Sequence, residues 1–224
     1  SVQHVVMDTQ PATRLERIYA GVMIFLFASG LVAHAVHSLR PLTTSTTDLF
    51  LLLINGSLLW LIIRSNGDRR LGLWSLAVYV FTFSVEAVGV ATGAIFGEYT
   101  YGAGMKVQWL GVPLVIALNW TLLTLGVNDL ASRLTVSPWL RAAAAALLIA
   151  AYDWFIEPVA IRLDYWQWAT GSDIPLQNYI AWAVVAFMAS LPLHLLRIRF
   201  RHWLLPLYLG VQWLYFVLMG WLGM

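Results

Sequence analysis

The sequence predicts an all-α protein, a polytopic membrane helical bundle with about seven transmembrane helices, and three observations predict it. Of its 224 residues, 60% are hydrophobic and only 11% are charged, and the mean hydropathy is +0.75. This composition is far more apolar than a soluble domain of this size requires. Several apolar stretches approach the roughly 20 residues that a helix needs to cross a bilayer. Finally, the arginines concentrate in alternate connections between these stretches, as basic residues do in membrane proteins.

The predicted spans account for nearly the whole chain. In order they are Leu15–Leu39, Asp48–Ile63, Leu71–Thr92, Leu110–Val127, Pro138–Glu157, Asn178–Leu196 and Trp203–Leu222. The second is short, and we expect it either to lie with little tilt or to extend into its flanks. The first is too long to be the apolar region of a signal peptide. We divide the chain into an N-terminal tail, 1–14, whose residues 1–6 are interpreted as a cloning remnant or a misplaced start, and a single transmembrane domain, 15–222.

The basic residues predict the orientation of these spans. One set of connections carries Arg14, Arg17, Arg64, Arg69, Arg70, Arg133, Arg141, Arg197, Arg199 and Arg201, and the other set carries Arg40, Lys106 and Arg162. Basic residues are retained on the cytoplasmic side of a membrane. The sequence therefore predicts a cytoplasmic N-terminus and an external C-terminus.

Three carboxylates are predicted within the outer half of the membrane. Glu86 lies about 9 Å inside the outer end of the third span, at a rise of 1.5 Å per residue. Asp153 and Glu157 are one turn apart on one face of the fifth span. We expect that span to end at the Glu157–Pro158 step, because the residue before a proline disfavours the helical conformation. Intramembrane acids are usually functional, so these three are candidate catalytic residues; an ion pair between Glu86 and Arg162 or a histidine is the structural alternative.

Other polar residues converge on the same layer. Asn178 opens the sixth span from the outside, and His34 and His37 lie in the last turns of the first span. For the two histidines a structural interpretation is favoured, because polar side chains near the interface can simply reach water. The convergence of several spans on one layer nevertheless indicates a shared polar site.

Three glycines follow Glu86 at a spacing of four. Gly89, Gly93 and Gly97 stand three, seven and eleven residues after it, on one face of a continuous helix. Small residues at this spacing let transmembrane helices pack closely. We therefore predict a helix-packing face that turns Glu86 into the bundle, where a charged side chain costs about 2.5–3.5 kcal/mol.

Residue types that are missing or misplaced exclude several kinds of chemistry. The chain has no cysteine, which excludes disulfides, thiolate metal sites and iron–sulfur clusters. Lys106 is the single lysine and stands in a predicted loop, which excludes a retinal Schiff base in the last helix. The five histidines are too dispersed for a histidine-rich di-iron centre, and no Glu-x-x-His motif occurs. We expect acid–base chemistry without a metal or cofactor, and no nucleic-acid partner, because the arginines are interpreted as topology determinants.

Three motifs resemble one protein family. "EAVGVATGAIFGEYTYG" (86–102), "YDWFIEPVA" (152–160) and "YWQW…IPLQNYIAW" (165–182) are similar to segments of the carotenoid biosynthesis proteins that act as carotenoid 1,2-hydratases, of the γ-carotene 1'-hydratase and bisanhydrobacterioruberin hydratase type. The matching residues are Glu86, Gly89, Gly93, Gly97, Tyr99, Tyr101, Pro113, Trp120, Asp153, Glu157, Pro158, Trp166, Trp168, Pro175, Asn178 and Trp182. The chain departs from the family pattern in "GSDIP" (171–175) and at Ala181.

The resemblance implies addition of water across the terminal C1=C2 double bond of a linear carotenoid such as lycopene or γ-carotene, in a bacterial or archaeal cytoplasmic membrane. Burial and a neighbouring carboxylate both favour a neutral carboxyl group, so we predict that Asp153 is the acid, that Glu157 stays ionised and that Glu86 positions the water. The predicted substrate-binding residues are Asn178, Trp182, Tyr99, Tyr101, Trp120, Trp166, Trp168, His34 and His37. The expected partners are the carotenoid, membrane lipid and other enzymes of the same pathway.

Two other functions fit part of the pattern. A proton-coupled small-solute transporter also uses intramembrane acids, although the inverted repeats and broken helices typical of transporters are not evident here. A carotenoid cyclase also begins by protonating an alkene, but cyclisation requires that water be excluded. A purely structural membrane protein is disfavoured by the convergence of polar residues.

Overall fold

The structure, a computed structural model, describes residues 11–171 and 173–223, and within them the predicted helical bundle is confirmed. Seven α-helices are present in these residues: α1 Arg14–Ala35, α2 Arg40–Asn66, α3 Arg69–Thr92, α4 Leu114–Leu134, α5 Pro138–Arg162, α6 Leu176–Leu195 and α7 Leu204–Trp221. Each is long and apolar enough to cross a membrane. Most of the predicted tail, 1–10, and Ser172 of the "GSDIP" segment lie outside the described residues.

Three helices extend well beyond their predicted spans, and one of them is α4, which continues past the predicted end at Val127 to Leu134. α2 begins at Arg40 instead of Asp48, since Pro41 suits the first turn of a helix and the following hydroxyls bond to carbonyls one turn back. α5 continues through Pro158 to Arg162, so the predicted end at the Glu157–Pro158 step is wrong. Proline removes one backbone donor, and transmembrane helices tolerate this loss when their neighbours pack around them.

The helices alternate in direction, and the arginine-rich connections share one end of the bundle. α4 lies at the centre and contacts α2, α3, α5, α6 and α7, whereas α1 packs mainly on α7 and α2. At the arginine-rich end, Asp68 caps α3 and accepts a hydrogen bond from the backbone N–H of Arg199 at 3.0 Å. The side chain of Arg70, together with this amide, holds the pKa of Asp68 well below its usual range. The connection before α7 is thereby tied to the start of α3.

The opposite end of the bundle, called here the ribbon end, carries short β-strands from two long connections. β1 (Tyr99–Tyr101), between α3 and α4, pairs antiparallel with β4 (Trp166–Trp168), between α5 and α6. The same α3–α4 connection also contains a hairpin of β2 (Gln108–Trp109) and β3 (Val112–Pro113). Because alternate residues of a strand face opposite sides, the aromatic residues of β1 and β4 turn into the bundle while Thr100 and Gln167 are exposed.

The glycines after Glu86 do not form the predicted helix-packing face. α3 ends at Thr92, and Gly93 adopts a left-handed φ of +66° as the residue that terminates the helix. A Cβ on Gly97 would lie 2.9 Å from Pro175 Cγ, and one on Gly89 would lie 2.9 Å from the ring of Phe96. The glycines therefore let the connection after α3 fold back onto that helix, and a helix-packing role for Gly89, Gly93 and Gly97 is wrong.

Candidate active site

A cavity of about 1180 Å³, measured out to its mouth, lies at the ribbon end and is lined by residues of every described helix and of β1 and β4. Aromatic side chains supply much of the wall. Two carboxylates, Glu86 from α3 and Glu157 from α5, face this apolar space. The cavity thus combines an apolar volume with buried acid–base groups.

Glu86 is 3% exposed and is held by uncharged donors. The hydroxyls of Tyr99 and Tyr101 donate to its Oε2, the second at 2.8 Å, and Trp120 Nε1 donates to its Oε1 at 2.9 Å. Tyr99 and Tyr101 are two residues apart on β1, so their side chains lie on the same face of the strand and reach the same oxygen. Arg162, the candidate ion-pair partner, donates instead to backbone carbonyls of α5 and α7. The ion-pair alternative for Glu86 is therefore not realised with this arginine.

The two phenols remain hydrogen-bond donors across the physiological pH range. Burial, followed by the charge of Glu86, raises the pKa of Tyr99 and of Tyr101 well above the usual value for tyrosine. A phenol that keeps its proton continues to donate to the carboxylate. The pair of tyrosines therefore fixes the position of Glu86 without titrating.

Glu157 is held in the same way by the other strand of the ribbon. Trp166 Nε1 and Trp168 Nε1 each donate to its Oε2 at 3.0 Å, and Asn178 Nδ2 donates to its Oε1 at 3.2 Å. The tryptophans are two residues apart on β4 and hence on one face. Glu157 is 1% exposed and does not lie at a helix end, because α5 continues past Pro158.

Asp153 lies one turn before Glu157 and is fully buried. Its Oδ2 accepts a hydrogen bond from Asn178 Nδ2 at 2.7 Å. Within the described residues its Oδ1 has no hydrogen-bond partner, and Asn178 Nδ2, which also donates to Glu157, links the two carboxyl groups. Asp153 is not among the residues that line the cavity, so the predicted acid reaches that space only through Glu157 and Asn178.

The predicted aromatic residues line the cavity around these acids. The rings of Trp120 and Trp182 are stacked, with centroids 4.1 Å apart and planes at 25°. The Tyr99 ring lies 5.2 Å from that of Trp168 across the ribbon. All of them, together with Tyr101, Trp166 and Asn178, face the cavity. A flexible apolar chain would therefore meet flat aromatic surfaces close to both carboxylates.

The two predicted histidines separate. His34, near the end of α1, lines the cavity and its Nδ1 lies 2.7 Å from the carbonyl oxygen of Gly30. His37 is exposed in a single 3-10 turn, His37–Leu39, and does not line the cavity. The structure therefore places His37 outside the cavity, because the chain leaves the helical register of α1 at Val36.

Some lining residues were not predicted. Thr43, Thr46 and Thr47 of α2 were assigned to a loop, although their i, i+3, i+4 spacing indicates one face of a helix. Gln212 and Tyr215 of α7 also line the cavity. A polar residue such as Gln212 within an apolar span is a signal from which the contribution of α7 to the cavity could have been predicted. In the described part of the chain no three histidine or carboxylate side chains are grouped to hold a metal ion.

Comparisons with known proteins show which family the chain belongs to. Over 136 aligned residues the chain is 31% identical to bisanhydrobacterioruberin hydratase from Haloarcula japonica, with 55% of this chain and 45% of that protein covered. The match thus spans somewhat under half of the length of that relative. No solved structure matches the chain. A family model described as carotenoid biosynthesis protein matches residues 46–204, which include the three carboxylates and the aromatic residues of β1 and β4. The chain belongs to the carotenoid biosynthesis protein family.

Proposed function

We propose that this protein is a carotenoid hydratase that adds water to the terminal C1=C2 double bond of an acyclic carotenoid end group. The observation that carries the proposal is the buried Asp153–Glu157–Asn178 cluster at the wall of an aromatic cavity that also contains Glu86. Hydration of an unactivated alkene needs a proton donor, a stabilised cation and water in one site. The similarity to a protein named as a hydratase supports this choice.

The distribution of donors supports Asp153 as the residue that carries the proton. In the described part of the chain, Glu86 and Glu157 each accept three hydrogen bonds, whereas Asp153 accepts one. Hydrogen bonds from donors stabilise the charged form of a carboxylate. A proton on Asp153 Oδ1 would satisfy the buried oxygen that otherwise lacks a donor, by bonding to Glu157. The two carboxyl groups then share one proton, and Glu157 delivers it to the cavity.

The proton adds to C2 of the alkene and leaves a tertiary cation at C1. The stacked rings of Trp120 and Trp182 offer π-faces, and a desolvated cation–π contact contributes about 2 kcal/mol. The charge of Glu86 stabilises the same cation. Three of the roughly four lone-pair directions of Glu86 are occupied by its donors, so we assign it this electrostatic role in preference to the predicted role of positioning water.

The substrate is itself a membrane component, and we propose that it reaches the cavity sideways between helices. The arginine-rich end of the bundle faces the cytoplasm under the positive-inside rule, which puts the cavity in the outer half of a bacterial or archaeal cytoplasmic membrane. Water can then reach the mouth of the cavity from the outside. This access favours hydration over cyclisation, which requires a dry site.

Expression in a lycopene-accumulating host, with the pigments analysed by mass spectrometry, tests the proposal. We expect each reacted end to gain the mass of one water, and growth in H₂¹⁸O to label the new hydroxyl group. A product with the same mass as lycopene would support a cyclase instead. Unchanged pigments in cells that contain the folded protein would overturn the hydratase assignment for this substrate.

A further inference from the structure

The α1–α2 side of the cavity, called here the α1–α2 wall, is polar without an evident reason. It consists of His34 from α1 and Thr43, Thr46 and Thr47 from α2, all of which line the cavity. None of them bonds to the carboxylates on α3 and α5. A hydrocarbon end group offers no hydrogen-bonding partner, so the proposed organic substrate does not explain this wall.

The tautomer of His34 follows from its surroundings. Its Nδ1 lies 2.7 Å from the carbonyl oxygen of Gly30, and a carbonyl can only accept a hydrogen bond. The neutral imidazole therefore carries its hydrogen on Nδ1 and a lone pair on Nε2. Among the described residues the hydrogen-bond contacts of the ring are all made by Nδ1, to Gly30 and, at 3.4 Å, to the hydroxyl of Tyr215, which can accept a share of the same hydrogen; the ring is half-buried. The histidine thus presents an unused acceptor.

The threonines also present acceptors. The hydroxyl groups of Thr43, Thr46 and Thr47 donate to backbone carbonyls of their own helix at 2.8, 2.8 and 2.9 Å. Each hydroxyl hydrogen is thereby used, and the oxygen lone pairs remain. A wall that offers only acceptors suits a ligand that brings hydrogens, and among small ligands that do so, water is the one the proposed reaction consumes.

We infer that the α1–α2 wall is the water-binding side of the cavity and that His34 is the base that deprotonates the attacking water. The inference rests on the proposed hydratase function. The water oxygen forms a bond to the cationic C1, one O–H bond breaks, and that proton passes to His34 Nε2. The imidazolium releases it to solvent at the cavity mouth, and the Asp153–Glu157 pair takes one proton from solvent. The sum is alkene plus water giving alcohol, with acid and base on different helices.

His34→Gln tests this role, with His37→Gln as the matched control, since His37 is a nearby exposed histidine outside the cavity. The purified proteins are incubated with lycopene in D₂O-containing and in H₂¹⁸O-containing buffer. Glutamine can accept a hydrogen bond from water but cannot take its proton. A general base contributes about 10²–10⁴-fold to rate. We expect hydration by His34→Gln to fall at least about 10²-fold.

Deuterium uptake distinguishes a variant that cannot capture water from one that cannot protonate the alkene. In His34→Gln the acid pair still protonates the alkene, and the cation then loses a proton instead of capturing water. The recovered alkene should therefore contain deuterium at or above the level seen with the unaltered protein. His37→Gln should match the unaltered protein in both readouts.

Several outcomes would overturn the inference. Hydration by His34→Gln within a few-fold of the unaltered protein excludes His34 as the base. Loss of deuterium uptake together with hydration, in a variant that melts normally, assigns His34 to substrate binding or proton supply. If His34→Gln does not fold, Thr46→Val takes its place, and an unchanged ratio of hydrated to deuterated product then counts against the α1–α2 wall. A failure of the unaltered protein to incorporate ¹⁸O refutes the hydratase function itself.

Discussion

Replacing Asp153 with asparagine should separate proton donation from folding, because the two side chains have the same shape. Asn178 Nδ2 donates to Asp153 Oδ2 at 2.7 Å, and an asparagine oxygen can accept that bond equally well. The new NH₂ group would take the place of Oδ1, which has no donor in the described part of the chain, and could donate to Glu157. We expect the free energy of unfolding to change by less than about 1 kcal/mol, the net value of one hydrogen bond.

The effect of Asp153→Asn on turnover should be much larger. An amide cannot release a proton to Glu157 for delivery to the alkene, and a positioned general acid contributes about 10²–10⁴-fold, or roughly 3–5 kcal/mol of barrier. We expect hydration to fall at least about 10²-fold, and deuterium uptake to fall with it, unlike the effect of His34→Gln. The assay is pigment analysis by mass spectrometry together with thermal unfolding of the purified protein.

Two further variants, Asp129→Asn and Glu86→Gln, serve as comparisons for Asp153→Asn. Asp129→Asn alters another buried carboxylate, which pairs with Arg133 at 2.9 Å at the arginine-rich end, and should lower the melting temperature while leaving turnover per folded molecule unchanged. In Glu86→Gln the amide oxygen can accept from Trp120 while its NH₂ group donates to the tyrosine hydroxyls, so the fold should be kept; the negative charge is lost, and a slow residual activity should remain. Near-normal turnover by Asp153→Asn with an inactive Glu86→Gln would refute the assignment and make Glu86 the acid.

Three further perturbations have defined outcomes. Tyr101→Phe removes one donor to the charge of Glu86, worth about 1.5–3 kcal/mol, so the hydration rate should fall roughly tenfold to a hundredfold. Gly93→Ala should lower stability by about 1–2 kcal/mol in thermal unfolding, because its φ is +66° and the new Cβ would lie 2.7 Å from Glu98 Cγ. Asp68 has a lowered pKa in the folded state, so its contribution to stability is present above its unfolded pKa of about 3.9 and is lost as the pH falls. Asp68→Asn should therefore melt lower than the unaltered protein near neutral pH and lose less stability on acidification.

For each of these three variants, the opposite result would contradict one specific statement about the structure or the mechanism. An unchanged rate for Tyr101→Phe would mean that the charge of Glu86 does not enter the rate-limiting step. An unchanged melting temperature for Gly93→Ala would contradict a left-handed helix terminus at that position. Identical acid dependence of Asp68→Asn and the unaltered protein would show that the cap at the start of α3 is not formed in solution.

Local patterns in the sequence were sufficient for the helices and for the members of the polar cluster. Hydropathy over about 20 residues is a property of each segment alone, so the spans could be predicted without knowing their neighbours. Asp153 and Glu157 share a helix face through their i, i+4 spacing. The structure brings Asn178 into contact with both of them. Several helix limits were wrong: α2 begins eight residues early at Arg40, α4 continues beyond Val127 to Leu134, and α5 continues through Pro158.

Only the tertiary structure decided how the carboxylates are held and which of them meet the cavity. β1 and β4 come from connections more than 60 residues apart, and their pairing sets Tyr99 opposite Trp168 and delivers two donors to each glutamate. No periodicity within either segment encodes that register, because pairing depends on where the bundle places the two connections. By itself the sequence determined a seven-span bundle with acids in the apolar interior. The separation of His34 from His37 depends on where α1 ends, and the placement of Asp153 behind Glu157 depends on packing between distant helices.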